Sequence, residues 1–308
     1  MNGIFDLGFE SLLLRVNGQN EFGVTQNLQD LVCPMVARLA VLHLDDEALG
    51  DTYDLLEDRW DEQWNKLPPV LPGFGRARPD YCVGFSLSAF TEERQNKLDL
   101  IAGENEALKP TALMYFPFLT CEVKSWQQSI DLAENQNGHN IFIAMQAMVE
   151  LFRMANIDVS GQILAFSVAY NHNIVYVHAY YPVISGERTN ICRHSLGTSL
   201  LSPSENPDLW RSWRLVRNVY EKWAPDLHRR LCRAIDLVKL DVGGTAPDPE
   251  ATPTPSDSVV PMDVLSETTP GADDMSTDSH GGGYGTISGR AAPREPGQLP
   301  SPKRPRIR

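Results

Sequence analysis

FPFLTCEVKSW, residues 116–126, is an apolar stretch interrupted by two charges, and it decides how we expect the chain to fold. With the residues before it, it predicts a β-strand over 114–124. Glu122 and Lys124 would point to the same side, because side chains two apart share one face of a strand. A charge buried in a sheet is costly unless it is paired or binds an ion. The stretch therefore predicts a strand that carries a functional site.

A second apolar stretch, RPDYCVGFSLSAF at residues 78–90, has the same character. Its alternating side chains predict a strand over 80–87, and the first residue of this strand, Asp80, carries a carboxylate. Asp80 and Glu122 would then meet on neighbouring strands, where two carboxylates repel each other unless a divalent cation lies between them. Oxygen ligands of this kind favour Mg²⁺ or Mn²⁺, with water in the remaining positions. The backbone carbonyl of Val123 is a further candidate ligand.

The chemistry that this arrangement predicts is hydrolysis of a phosphodiester bond. A bound cation would polarise a phosphate oxygen and lower the pKa of a bound water. Lys124 lies on the same side as Glu122 and would orient that water or offset charge on the phosphate. The alternative interpretation is an ion pair between strands at a sheet edge, since an Asp/Glu-x-Lys triplet also arises by chance in such a composition.

Hydrophobic periodicity predicts the remaining elements. Apolar residues at steps of three and four indicate helices, and short apolar runs between turns indicate strands. The predicted helices cover residues 26–44, 45–66, 91–102, 127–155, 208–223 and 225–240, and three further strands cover 162–170, 173–183 and 189–196. Elements in this order predict an α/β (α+β) fold, with a central mixed β-sheet flanked by helices.

The composition divides the chain into three parts. Residues 1–25 are an N-terminal segment without a clear assignment, and residues 26–241 are expected to form one globular domain. From residue 242 to 308 the chain loses its apolar residues and fills with Pro, Gly, Ser and acids, which predicts a disordered acidic tail. The tail ends in a basic cluster, SPKRPRIR at 301–308, which is typical of a nuclear localisation signal.

Charge and cysteine content limit the function classes. The net charge of −13 argues against simple non-specific binding to a phosphate backbone. Five scattered cysteines without a CxxC pair argue against a disulfide framework or a zinc site, and they fit a reducing compartment. The N-terminus lacks a basic n-region, and no apolar run approaches about 18 residues. We therefore expect an intracellular, nuclear location, no membrane span and no small-molecule cofactor.

Four stretches carry a further indication: RPDYCVGFSLSAFTEERQNKL (78–98), MYFPFLTCEVKSWQQSIDLAENQNGHN (114–140), FSVAYNHNIVYVHAYYPVISGE (166–187) and VRNVYEKWAPDLHRRLCRAID (216–236). Together they resemble the PD-(D/E)XK nuclease superfamily, and in particular a nuclease-like family of fungal proteins of unknown function. The resemblance implies a restriction-endonuclease-like core. It also implies that Asp80 and Glu122 are metal ligands and that Lys124 is the catalytic lysine.

Two further positions follow from the same resemblance. Members of the superfamily often add an acidic residue from the first core helix, for which Glu57 and Glu62 are both candidates. They also often place a glutamine near the scissile phosphate, on the helix after the lysine, which implies a catalytic role for Gln136. The alternative is that Gln136 belongs to an ordinary polar helix face, beside a satisfied core asparagine at Asn137.

Two functions remain open from the sequence. The first is a metal-dependent nuclease that acts on DNA or RNA, and Asp80, Glu122 and Lys124 favour it. The second is a catalytically inactive nuclease-fold module that binds protein or nucleic acid. The acidic composition of the expected globular domain favours this second function. Basic residues on the closing helices form either a nucleic-acid face or a solvated surface around core tryptophans. These residues are Arg211, Arg214, Arg217, Lys222, Arg229, Arg230 and Arg233.

Overall fold

A mixed β-sheet lies at the centre of the protein. The computed structural model describes residues 11–64, 75–102, 108–201 and 210–240. Within these residues six strands lie side by side in the order in which they occur in the chain. They are β1 (Leu56–Trp60), β2 (Tyr81–Ser86), β3 (Met114–Val123), β4 (Ala165–Tyr170), β5 (Ile174–Ser185) and β6 (Arg188–Leu200). β3 and β4 are parallel and the other neighbours are antiparallel, which confirms the predicted mixed sheet.

Helices flank this sheet, as the periodicity predicted. Residues 11–16 are helical. The helices that follow are α1 (Glu21–Val32), α2 (Val36–Leu42), α3 (Glu47–Asp54), α4 (Glu92–Ala102), α5 (Ile130–Met154), α6 (Arg211–Asn218) and α7 (Ala224–Leu237). A π-helical segment, Val219–Trp223, joins α6 directly to α7, and Pro225 lies in the first turn of α7. The two closing helices are therefore one continuous helical run.

Strands β2 and β3 are buried along their whole length. Thr120 and Glu122 lie on one face of β3, and both form hydrogen bonds to α5. Cys121 lies on the other face and contacts Cys33 at the C-terminus of α1. Helices therefore cover both faces of the sheet at this point, and both of the alternating faces predicted for β2 are buried.

The predicted helix over 45–66 is wrong from Leu56 onward. Helix α3 ends at Asp54, and the residues after it form strand β1, which pairs with β2. Apolar residues four apart, such as Leu56 and Trp60, fit the period of a helix and that of a strand equally well. Pairing with β2 decides between the two, because a strand is stabilised mainly by its neighbours in the sheet.

The predicted helix over 26–44 is two helices with different bounds. The first, α1, begins at Glu21, where the side chain of Asn20 accepts a 2.9 Å hydrogen bond from the backbone N–H of Gly23. The second, α2, begins at Val36, two residues after Pro34, which has no backbone N–H for a continuous helix. Helix α1 therefore extends into the segment that the sequence left unassigned.

The predicted tail, the search for membrane-spanning helices and the cysteines each have a plain outcome. The predicted tail, residues 242–308, lies outside the described residues together with its basic cluster. No helix in the described ranges has the length and apolar character needed to cross a membrane. All five cysteines are free thiols.

Candidate active site at the ends of β2 and β3

The end of β3 is fixed beneath helix α5 by side-chain amides. The Glu122 side chain is 2% exposed, and its Oε1 accepts a 2.8 Å hydrogen bond from Asn140 Nδ2. Asn137, one turn earlier, donates to the carbonyl of Val168 in β4 and accepts from the Thr120 hydroxyl in β3. The first half of α5 therefore holds β3 and β4 together and sets the position of the Glu122 carboxyl.

Asp80 meets Glu122 just before β2 begins. Its Oδ2 accepts a 2.7 Å hydrogen bond from the backbone N–H of Val123, and the two carboxyl groups share a further hydrogen bond. Burial, and then the charge of Asp80, raise the pKa of Glu122 to about 9, although Lys124 and Asn140 act in the opposite direction. Without a cation, this raised pKa favours the protonated form of Glu122 at neutral pH.

Lys124 connects this pair to helix α1. Its Nζ donates a 2.7 Å hydrogen bond to the carbonyl of Val123, and it lies 3.4 Å from Glu21 Oε1 and 4.0 Å from Glu122 Oε2. The Lys124 side chain is only 4% exposed. A buried ammonium group needs such partners, because its desolvation is otherwise uncompensated.

The donors at this site suit a hard divalent cation. The carboxylates of Asp80 and Glu122 and the carbonyl of Val123 are oxygen ligands of the kind that Mg²⁺ and Mn²⁺ prefer. The Val123 carbonyl already accepts from Lys124. In the part of the chain that the structure describes, no group of three or more His, Cys, Asp or Glu side chains could hold a metal ion. Two carboxyl groups would leave most coordination positions of such an ion to water, an arrangement that Mg²⁺ commonly has.

The two upstream acids proposed from the sequence are not on a helix, and they do not line the cleft beside the acidic pair. Glu57 and Glu62 are 2.6 Å and 3.6 Å from the guanidinium of Arg59, in ion pairs. Glu57 lies in β1 and Glu62 two residues after its end. Glu21 is the acid that reaches Lys124. Asn20 followed by Glu21 is a helix-start pattern, so the sequence carried a signal for this helix.

A cleft of about 420 Å³ opens beside the two carboxyl groups, and we call it the arginine cleft. The Oε1 of Gln136 is buried and has no hydrogen-bond partner among the described residues. Burial lowers the pKa of His139, which favours the neutral imidazole. Gln136 thus lies in the same cleft as Asp80 and Glu122. The cleft is lined by Asp61, Gly75, Arg76, Arg78, Asp80, Glu122, Gln136, His139 and Asn140.

A larger cleft of about 640 Å³ adjoins the first, and we call it the aromatic cleft. The two clefts share Asp61 and Asp80, so they meet beside Asp80, one member of the acidic pair. Phe22 is 68% exposed and Trp60 is 39% exposed, which is unusual for aromatic residues of this size. The aromatic cleft is lined by Glu21, Phe22, Thr25, Gln26, Gln29, Asp30, Met35, Arg38, Trp60, Asp61 and Asp80.

The basic residues on the closing helices are largely engaged with neighbours. Arg217 pairs with Glu221 on the next turn, and its guanidinium stacks over the ring of Trp213. Arg230 donates to Gln162 and lies over the ring of Phe152. A separate groove on α7 is lined partly by Arg229, Arg230 and Arg233, away from the residues of the two clefts.

Comparison with known proteins gives a family but not an activity. A family model described as "Domain of unknown function (DUF7924)" matches residues 8–235. No curated protein matches the chain, and no solved structure does. The function has to be inferred from the residues of the site.

Proposed function

Since the chain belongs to the DUF7924 family, a domain of unknown function, we propose its function from the site itself. We propose that the protein is a metal-dependent nuclease that hydrolyses phosphodiester bonds of DNA or RNA. The observation that supports this best is the contact between the Asp80 and Glu122 carboxyl groups at the ends of adjacent strands, with Lys124 beside them. Two buried acids in contact destabilise a fold, which favours a functional reason for keeping them.

The residues of the site divide the work of binding and positioning. Asp80 and Glu122 would hold Mg²⁺ or Mn²⁺, which supplies Lewis-acid polarisation of a phosphate oxygen and a bound water of lowered pKa. Arg76 and Arg78 line the arginine cleft, and the guanidinium of Arg78 is paired with Asp61, so a phosphate bound there would share Arg78 with that carboxylate. The free Oε1 of Gln136 faces the same space and can accept a hydrogen bond from a water there.

Glu21 fills the role that resemblance to PD-(D/E)XK nucleases assigned to an acid of the first core helix. It lies in the first turn of α1 and is 3.4 Å from Lys124 Nζ. The Nζ of Lys124 also lies 4.0 Å from Glu122 Oε2, so it stands between Glu21 and the acidic pair. In this proposal Lys124 offsets negative charge that develops on the phosphate.

A second candidate is a catalytically inactive nuclease-fold module that binds protein or nucleic acid. Its support is the burial of Lys124, whose Nζ is engaged by Val123 and Glu21 and which lines neither cleft. A lysine held in this way can be purely structural, as the positive partner of two buried acids. The two candidates make opposite predictions about metal-dependent cleavage.

Cleavage of nucleic acid tests both candidates directly. Single-stranded and duplex DNA and RNA are incubated with the full chain and Mg²⁺ or Mn²⁺, with EDTA as the metal-free control. We expect cleavage that requires metal and falls by about 100-fold or more in Asp80→Asn and in Lys124→Ala. Glu62→Gln and Lys97→Ala are matched controls, because they remove an acid and a lysine outside the site, and they should cleave like wild type.

Calorimetry with Mn²⁺ separates metal binding from catalysis. Asp80→Asn should abolish the binding that the wild type shows, whereas Glu62→Gln should keep it. Equal cleavage by the wild type and Lys124→Ala would contradict the catalytic role of this lysine. Absence of both cleavage and Mn²⁺ binding in the wild type would leave only the inactive module.

The nuclear location stays a prediction from the basic cluster at 301–308. A fluorescent fusion of the full chain should accumulate in nuclei, and removal of these residues should spread it through the cell. An unchanged distribution after removal would contradict the signal.

A further inference from the structure

The aromatic cleft has two aromatic side chains at the border of the candidate active site. Phe22 follows Glu21, the acid that reaches Lys124, in the first turn of α1. Trp60 is the last residue of β1 and pairs with Tyr81, the residue after Asp80. The ring centroids of Trp60 and Tyr81 are 4.7 Å apart, which fixes one side of the indole while leaving it 39% exposed. Both aromatic residues are thus tied by the backbone to acids of the site.

The charged groups of the aromatic cleft are engaged with one another. Among its described lining residues Arg38 is the one cation, and it is paired with Asp30, while Glu21 lies beside Lys124 and Asp61 beside Arg78. A phosphate group would find no unpaired cation in this lining, whereas a neutral heteroaromatic ring needs none. Carboxylates also accept hydrogen bonds from the amino groups of bases.

Hydrogen-bonding groups complete the cleft. The side chain of Gln26 is exposed and forms no hydrogen bond with the described residues, so its amide can still donate and accept. The Gln29 amide, in contrast, is occupied by the Cys33 carbonyl and the Tyr170 hydroxyl. A volume of about 640 Å³ is in the range of cavities that bind small organic molecules.

We propose that the aromatic cleft binds one unpaired nucleobase, which stacks on Trp60 and Phe22, while the arginine cleft takes the adjoining phosphates. Its role in cleavage rests on the proposed nuclease function, but base binding itself does not. The two clefts meet at Asp61 and Asp80, so a base in one places its own strand across the acidic pair. The substrate class is therefore single-stranded nucleic acid, or a frayed end, because a base in a duplex must first be unstacked and unpaired.

Equilibrium binding without divalent metal tests the proposal independently of cleavage. The probe is a fluorescein-labelled single strand of about 12 nucleotides, as DNA or as RNA, at low salt and in EDTA. We expect the single strand to bind at least about 10-fold more tightly than the blunt duplex of the same sequence. Trp60→Ala and Phe22→Ala should each weaken binding by about 5- to 150-fold, the range found for a lost base–aromatic stack.

Controls separate stacking from general surface effects. Trp60→Phe keeps an aromatic face and should retain most of the affinity. Leu44→Ala removes a large exposed apolar side chain outside both clefts, and it should bind like wild type. If Trp60→Ala fails to fold, Phe22→Ala and strands with one abasic site at successive positions give the same information. With the wild type, a single abasic position should cause the largest loss of affinity.

Three results would overturn the proposal. They are equal binding of duplex and single strand, wild-type affinity in Phe22→Ala together with Trp60→Ala, and no effect of any abasic position. Displacement of the strand by adenosine alone at micromolar concentration would assign the cleft to free nucleosides instead of a strand. A protein that binds single strands through these aromatic residues but never cleaves them would refute the nuclease and keep the base site. A protein that cleaves duplexes and single strands equally, with Phe22→Ala unaffected, would refute the base site and keep the nuclease.

Discussion

Two pairs of acids lie within one sheet and have opposite surroundings. Asp80 and Glu122 meet at the ends of β2 and β3, where the Glu122 side chain is 2% exposed and holds a proton. Glu57 and Glu62 lie beside β1, with side chains that are 28% and 39% exposed and share one arginine. The first pair is held by groups distant in sequence, and the second by a local ion pair.

The burial of two acids and the groups around them, more than their spacing in the sequence, distinguish a candidate site from a solvated surface. Exposed ion pairs contribute little to stability and are common on protein surfaces. A buried acid pair costs stability, and evolution tolerates this cost mainly where charge has a function.

The largest effect should come from replacing the buried ionisable group of Glu122 by one that cannot ionise. Glu122→Gln keeps the shape and the hydrogen bonds of the side chain but cannot ionise. The pKa of Glu122 rises on folding to about 9, so the wild type without metal loses stability as pH increases from about 4.5 to about 9. We expect the free energy of unfolding of Glu122→Gln at pH 7 to exceed that of wild type by about 2–4 kcal/mol. Urea denaturation in EDTA measures the difference.

A control at the exposed pair makes this test specific. Glu57→Gln should change the free energy of unfolding by no more than about 0.5 kcal/mol, as most surface substitutions do. The stability of Glu122→Gln should also depend less on pH than that of wild type between pH 5 and pH 8. An unchanged or lower stability in Glu122→Gln would show that the buried carboxyl does not destabilise the fold.

The next effect should come from the asparagine that joins β3 to β4. Asn137→Ala leaves the carbonyl of Val168 and the hydroxyl of Thr120 buried without their partner. We expect the free energy of unfolding to fall by about 2–3 kcal/mol, measured by urea denaturation. Asn135→Ala is the matched control, because Asn135 is exposed on the same helix, and it should be neutral or slightly stabilising. Equal effects of the two substitutions would refute the structural role of Asn137.

A smaller effect should come from the contact that brings β2 close to β3. A Cβ at Gly84 would lie 2.7 Å from the Tyr115 carbonyl oxygen and 2.6 Å from Met114 Cγ. Gly84→Ala should therefore lower the free energy of unfolding by about 1–3 kcal/mol, and the melting temperature should fall with it. Gly138→Ala, in α5, meets no atom within 4 Å and should be neutral or stabilising. A neutral Gly84→Ala would mean that the strands can separate at this point.

Local patterns predicted the elements that hold the site. Strands β2 and β3 and helix α5 were recognised because each is long or strongly apolar and is bounded by clear turns or caps. Asp80 and Glu122 stood out because a charge is unusual in such a strand. That the two carboxyl groups meet also followed from the expected pairing of neighbouring strands.

Long-range contacts account for what the sequence did not show. Strand β1 was predicted as a helix because its pairing with β2 leaves no local trace. Glu21 was missed because it reaches Lys124 from 103 positions away, a separation that periodicity cannot bridge. Phe22 and Trp60 form one cleft only after α1 and β1 have packed, and a single exposed aromatic residue gives no signal of its partner.

The position of α1 has a consequence for the order in which the parts of the site form during folding. Its Gln29 accepts a hydrogen bond from the Tyr170 hydroxyl, 141 residues later, while each strand pairs with the strand before it. Contacts of such separation tend to form late in folding. We expect Gln29→Ala to accelerate unfolding with little change in the refolding rate, which stopped-flow fluorescence would measure. A newly made chain would then lack Glu21 and Phe22 at the site until the sheet is complete.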